Sequence, residues 1–280
     1  MQGSVDGFSY GLVTPVVAYL MACLGGALGL RCTTRSLLVA SSWRAGWLAL
    51  GSAAIGSGIW TMHFIAMMGF SVKGMAIRYD PLTTFASLGV AVLMVGIGVF
   101  IVGYKGATGP ALFTGGTITG LGVATMHYLG MAGMRLHGTI SYNTFTVVAS
   151  VAIAMAAATA ALWAAVQVRG IVWSLVASLI MGLAVSGMHY MAMAGVSVHA
   201  HTDPAGSLGG DSAAAILGPM LIGPLSFLLL AGAVVVFDPM LVTGRTDGRA
   251  AQARPGTPAP AVTRPRRPLG RPASRTPQDR

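Results

Sequence analysis

Three histidines in this chain stand in nearly the same setting. "WTMHFIAMMG" occupies residues 60 to 69, "ATMHYLGMAG" 124 to 133 and "SGMHYMAMAG" 186 to 195. Aligned on His63, His127 and His189, the copies share a glycine at −7 (Gly56, Gly120, Gly182) and a methionine at −1 (Met62, Met126, Met188). They also share an aromatic at +1 (Phe64, Tyr128, Tyr190), a methionine at +4 (Met67, Met131, Met193) and a glycine at +6 (Gly69, Gly133, Gly195). Imidazole and thioether are both metal ligands. On an α-helix turning ~100° per residue, the −7 glycine and the +4 methionine fall within about 40° of the histidine. A histidine and a methionine one turn apart can present N and S atoms to a common point, and a glycine in the same stripe lets another backbone approach closely. The −1 methionine lies about 100° round the helix and fits packing better.

Methionine is a common filler of apolar helices, and a lone histidine there need only hydrogen-bond a neighbour. The triplication separates the readings. Each histidine inside an apolar run has methionine at both −1 and +4, whereas His137, His199 and His201, expected in loops, have neither. We therefore assign His63, His127 and His189 a shared ligand or relay role, and as ligands they would have Met67, Met131 and Met193 as secondary ligands. Ionisable groups at membrane depth are functional by default.

The elements that must position them are membrane helices. The chain is 54% hydrophobic and 9% charged with a mean hydropathy of +0.73, too little charge to cover a soluble globule of this size. Apolar stretches of roughly the 20 residues needed to span fall at 11–30, 46–70, 82–104, 111–134, 144–166, 171–196 and 215–237. The histidine spacings of 64 and 62 residues equal two helices plus their loops, so the motifs ride on helices of one direction. The expected fold is an all-α integral membrane protein of seven transmembrane helices with three pseudo-repeated helix pairs, in a bacterial plasma membrane. Each histidine should lie roughly 10 Å inside its helix end at ~1.5 Å per residue. Asp80, Asn143 and either Asp203 or Asp211 are the expected N-caps of the returning helices.

Lys and Arg orient the bundle. With the N-terminus outside and the C-terminus cytoplasmic, fourteen basic residues lie inside and only Lys73, Arg78 and Arg135 outside. Nine of the fourteen are arginines after residue 240, so the loops alone contribute five against three. Residues 1–237 form the membrane domain. Residues 238–280, rich in Arg, Pro, Ala and Gly, lack any apolar period and are expected to be a disordered cytoplasmic tail that fixes topology and touches anionic lipid. The +10 formal charge thus points to the bilayer and to no specific nucleic acid. The first ten residues hold no Lys or Arg, so no cleavable signal peptide is expected. Cys23 and Cys32 are placed as packing residues, forming neither a disulfide nor a CxxC site.

Three M-H-[YF]-x-[AG]-M-x-G units on alternate membrane helices resemble the MHYT domain family, bacterial integral membrane sensor modules, over about residues 8 to 237. The first copy has Phe64 in place of tyrosine, and Ile65, Leu129 and Met191 stand where the family name has threonine. The resemblance implies a copper site sensing a diatomic gas such as oxygen, carbon monoxide or nitric oxide, upstream of cyclic-di-GMP enzymes or other output domains. Ligand softness agrees: neutral thioether and imidazole suit copper, particularly Cu(I), and are poor for Mg²⁺ or Ca²⁺. Zinc seldom takes methionine. Haem iron is the less favoured alternative.

No catalytic residues emerge. The chain has no glutamate, and nothing resembles a nucleophile with its base or a phosphate-cradling loop. The roughly 43 residues after the last helix are too few for a cyclase, so a signal is expected to leave through a separate cytoplasmic partner, the tail or movement of the bundle. The competing reading is a copper or small-species transporter, with His199 and His201 capturing metal outside. It lacks a second ligand layer, because the inner helix halves are Ala, Val, Leu and Gly.

Overall fold

The computed structural model describes residues 2–3, 5–6, 9–73, 75–168, 170–200 and 213–238. These carry seven helices: α1 (Val13–Ser36), α2 (Ser41–Met68), α3 (Pro81–Lys105), α4 (Gly109–Ala132), α5 (Thr144–Gln167), α6 (Ile171–Met193) and α7 (Ala213–Val236). Six are long and apolar enough to cross a membrane. The exception is α4, whose six glycines and four threonines dilute its hydropathy. The helix ends follow local chemistry. Pro81 at the first position suits α3, and the Asp80 side chain caps it by accepting the Thr83 backbone N–H at 2.8 Å. Asn143 caps α5, accepting from the N–H groups of Phe145 and Thr146. Asp203 and Asp211 lie outside the described residues.

Short connections, 37–40, 106–108 and 168–170, force antiparallel neighbours at one end of the bundle. Gly106 and Gly170 take positive φ there, 72° and 84°, which side chains on a Cβ disfavour. Packing runs α1 on α2, α2 on α3, and so on to α6, which closes back onto α1. The six helices therefore form a ring in which α2, α4 and α6 alternate with α1, α3 and α5. Helix α7 stands outside the ring against α2 and α1. Around the ring α2 is followed by α3, α4 by α5, and α6 by α1.

The opposite end carries longer connections that pair as short antiparallel strands: β1 (Gln2–Gly3), β2 (Val5–Asp6), β3 (Ser71–Val72), β4 (Arg78–Tyr79), β5 (Met134–Arg135), β6 (Gly138–Tyr142) and β7 (Val196–Ala200). β4 pairs with β5, β6 with β7, β7 with β1, and β2 with β3. The segments after α2, α4 and α6 and the N-terminal strands are thus linked in a closed circle. Hydropathy alone gave no sign of these strands.

Exposed aromatics mark both ends, as at membrane interfaces. Trp43, Tyr104, Trp163, Trp173 and Phe237 ring the end with short connections, and Tyr10, Phe85 and Phe145 the strand end. At the former end Arg44 donates to the Gly103 carbonyl and lies over Tyr104. Arg35 of α1 pairs with Asp238 beyond α7 at 2.9 Å.

Candidate metal centre

His63, His127 and His189 stand five, five and four residues before the ends of α2, α4 and α6, about 6–8 Å from the helix ends at 1.5 Å per residue. The expected depth of about 10 Å is shortened because the chain leaves each helix two or three residues early to enter the strand circle. All three side chains are fully buried, at 2% exposure or less.

Because the motif helices alternate around a ring, equivalent positions on them converge on its axis. The Nδ1 atoms form a nearly equilateral triangle: His63 to His189 is 3.1 Å, His127 to His63 3.2 Å and His189 to His127 3.3 Å. The rings are arranged like a pinwheel, with centroids 4.9–5.1 Å apart and planes inclined at 77–81°.

Protons cannot satisfy this triangle. Each Nδ1 is either a donor or an acceptor, and three mutual neighbours cannot all be placed in two classes without one like pair in contact. A cation at the centre would accept all three lone pairs at once. The centroid of the three Nδ1 atoms lies about 1.9 Å from each nitrogen, close to the roughly 2.0–2.1 Å of a zinc–imidazole bond. With Nδ1 turned to a metal, each Nε2 would carry its proton outward. The Nε2 atoms of His63 and His127 are buried with no hydrogen-bond partner among the described residues. A Cβ on Gly130 would come 2.6 Å from His63 Nε2, so glycine at that position leaves the ring its room.

The shared glycines explain how the triangle is held. A Cβ on Gly56 would meet the Val92 backbone of α3 at 2.8 Å, and one on Gly120 the Met155 backbone of α5 at 2.5 Å. One on Gly182 would strike Cys23 of α1. The −7 glycines therefore let each motif helix seat against the next helix of the ring, as their stripe predicts. The +6 glycines do a second task that spacing did not disclose. The carbonyls of Gly69, Gly133 and Gly195 accept the backbone N–H groups of Ser9, Asp80 and Asn143 at 2.9–3.0 Å. Their missing side chains leave space for Thr14, Thr83 with Thr84, and Thr146. The Gly69 carbonyl is thus served by the segment before α1.

The +1 aromatics pack edge-on to their histidines, with centroids 4.6 Å apart for Phe64, 4.9 Å for Tyr128 and 5.0 Å for Tyr190. Tyr128 is held by Ser150 of α5 at 2.8 Å. Trp60, one turn before Phe64, donates to the Thr84 carbonyl and the Ser87 hydroxyl. These serine and tryptophan supports went unnoticed in the sequence, where only the 63-residue offset of Ser87 and Ser150 marks them.

The methionines are less sharply sorted. Met67 and Met131 are buried and Met193 partly buried, all within the main core. Met62, Met126 and Met188 are all fully buried, so burial does not single out the +4 set as ligands. His137 and His199 are exposed, the latter in β7, and His201 lies outside the described residues. Among the described residues, the three motif histidines are the cluster of His, Cys, Asp or Glu side chains with metal-holding geometry.

Residues 56–115 and 120–178 match the model of the MHYT family, described as a bacterial signalling protein N-terminal repeat. Both matches begin at a −7 glycine. The third motif, around His189, lies beyond them yet completes the triangle. Among similar proteins, the bifunctional diguanylate cyclase/cyclic di-GMP phosphodiesterase MucR of Pseudomonas aeruginosa is 34% identical over 66% of this chain and 28% of its own. The cyclic di-GMP phosphodiesterase NbdA of the same species is 35% identical over 69% of this chain and 26% of its own. The signaling protein YkoW of Bacillus subtilis is 29% identical over 71% and 26%. The chain thus spans under a third of these relatives. No solved structure matches it.

Proposed function

We propose, from the premise that this chain is a multi-pass bacterial membrane protein carrying the MHYT repeats of signalling proteins, that its bundle is a metal-centred sensor for a diatomic gas or for redox state. The triangle of Nδ1 atoms at 3.1–3.3 Å carries this reading, because it gathers three neutral donors that only a central cation can satisfy together. Copper bound there would supply a soft centre with a coordination position open to oxygen, carbon monoxide or nitric oxide.

The chain's own part is to hold the three rings at one spacing. The −7 glycines set the helices, the +1 aromatics fix the ring planes, and the strand circle closes over the layer and excludes water. Met67, Met131 and Met193 lie one turn toward that circle and are the proposed secondary ligands. A change at the triangle passed to the helices that bear the histidines would give the bundle a route for a signal to a cytoplasmic partner. The catalytic activities in the names of MucR and NbdA belong to those proteins; this membrane domain is proposed to be non-enzymatic, with the N-terminus and the histidine layer toward the outer face.

Metal analysis with an optical spectrum of the purified chain tests the proposal. One copper per chain, lost in His127→Ala, is the expected result. A Soret band would replace copper with haem, and a metal content unchanged by loss of His127 would refute the site.

A further inference from the structure

Directly beneath the histidine layer the ring encloses a cavity of about 50 Å³. Its wall includes Ile59, Val123 and Val185, each four residues before a motif histidine, so it begins one turn, about 6 Å, below the triangle. All six ring helices contribute to the lining, and fifteen of the sixteen lining residues are apolar. The exception is Thr119, whose buried hydroxyl oxygen has no hydrogen-bond partner among the described residues.

A water needs roughly 10–15 Å³ on this measure and two to four polar partners. The cavity has ample room and, beyond one hydroxyl, no partners to offer, so water and ions are poor occupants. Such apolar voids stay dry and take up small apolar molecules such as xenon. The wall thins toward the lipid between α5 and α6, where Ala157, Ala161, Met181 and Val185 are only partly buried. An apolar gas dissolved in the hydrocarbon layer meets this side first.

We propose that this cavity is a docking site for a small apolar gas molecule, entered laterally from the bilayer, that delivers the gas to the underside of the histidine triangle. Delivery rests on the sensor reading; docking in the cavity does not. The remaining gap to the triangle is a single helical turn, bounded by Met188, the one −1 methionine that lines the cavity.

Xenon is the probe for docking, applied to the full chain in nanodiscs and followed by xenon NMR. We expect saturable binding that weakens at least tenfold, about 1.4 kcal/mol, when Ala158→Leu fills the cavity. Val185→Phe, at the partly exposed wall where a larger side chain is more easily accommodated, is the second variant and should do the same. Absence of saturable xenon binding in the parent chain, or unchanged binding in both folded variants, would overturn the proposal. Copper content and a gas-dependent optical change are recorded on the same samples. Xenon binding without any gas response would leave docking intact and remove the sensor reading. Gas response without xenon binding would do the reverse.

Discussion

Gly130→Ala is the smallest change that tests whether the triangle is a metal site. The new Cβ would stand 2.6 Å from His63 Nε2, 3.1 Å from its Cδ2 and 3.1 Å from Phe64 Cζ, where ordinary contact begins near 3.4 Å. His63 must therefore retreat by about 0.8 Å, against a metal–ligand distance tolerance of about 0.2 Å. It cannot slide freely, because His127 and His189 lie within 3.2 Å of its Nδ1 and Phe64 packs on its edge. Overpacking of this kind costs roughly 1–3 kcal/mol, and disturbing a ligand's support typically lowers metal affinity 10–100-fold. Gly187→Ala is the control: it lies on α6 two residues from His189, and a Cβ there meets nothing within 4 Å. Its expected effect on stability is a gain of up to about 1 kcal/mol from helix propensity. Competitive titration with a Cu(I) chelator, alongside thermal unfolding in detergent, reads both. Wild-type copper affinity in Gly130→Ala would show that the position of His63 does not set metal binding, and would sink the reasoning.

Replacing Met67, Met131 and Met193 by leucine is nearly volume-conserving, under ~1.5 kcal/mol per site, and should weaken Cu(I) binding more than the same change at Met62, Met126 and Met188; equal losses in the two triple variants would show the sulfur ligands wrongly assigned. The Asp80 carboxyl is held below the usual carboxylate range by the Thr83 hydroxyl and backbone N–H, with Arg135 nearby. Its cap therefore stabilises α3 above the ordinary carboxylate pKa and is lost as pH falls through the depressed value, so Asp80→Asn should flatten the acid limb of a pH-dependent melting series, and an unchanged limb would contradict the assignment. A reporter fused after Phe237 should read cytoplasmic and one placed between His199 and Asp211 external, since Lys and Arg orient the bundle; the opposite result would invert the histidine layer.

Much of the site could be read without coordinates. The identity of the three histidines, their placement on helices of one direction and the close approach at Gly56, Gly120 and Gly182 all follow from period and spacing, because one-helix geometry fixes which residues share a face. The caps Asp80 and Asn143 were legible for the same reason: a cap acts on the next few residues of its own chain. What the sequence could not disclose was closure. That α6 returns to α1 and leaves α7 outside depends on which faces meet, a long-range choice that no local period encodes. The roles of Gly69, Gly133 and Gly195 as acceptors for Ser9, Asp80 and Asn143, the strand circle and the cavity on the ring axis all arise from that closure. So does the spacing of 3.1–3.3 Å between Nδ1 atoms. A repeat can place three like residues at one height on three helices. Only the packing of all six ring helices decides whether those residues meet, because the distance across the axis is set by every interface around it.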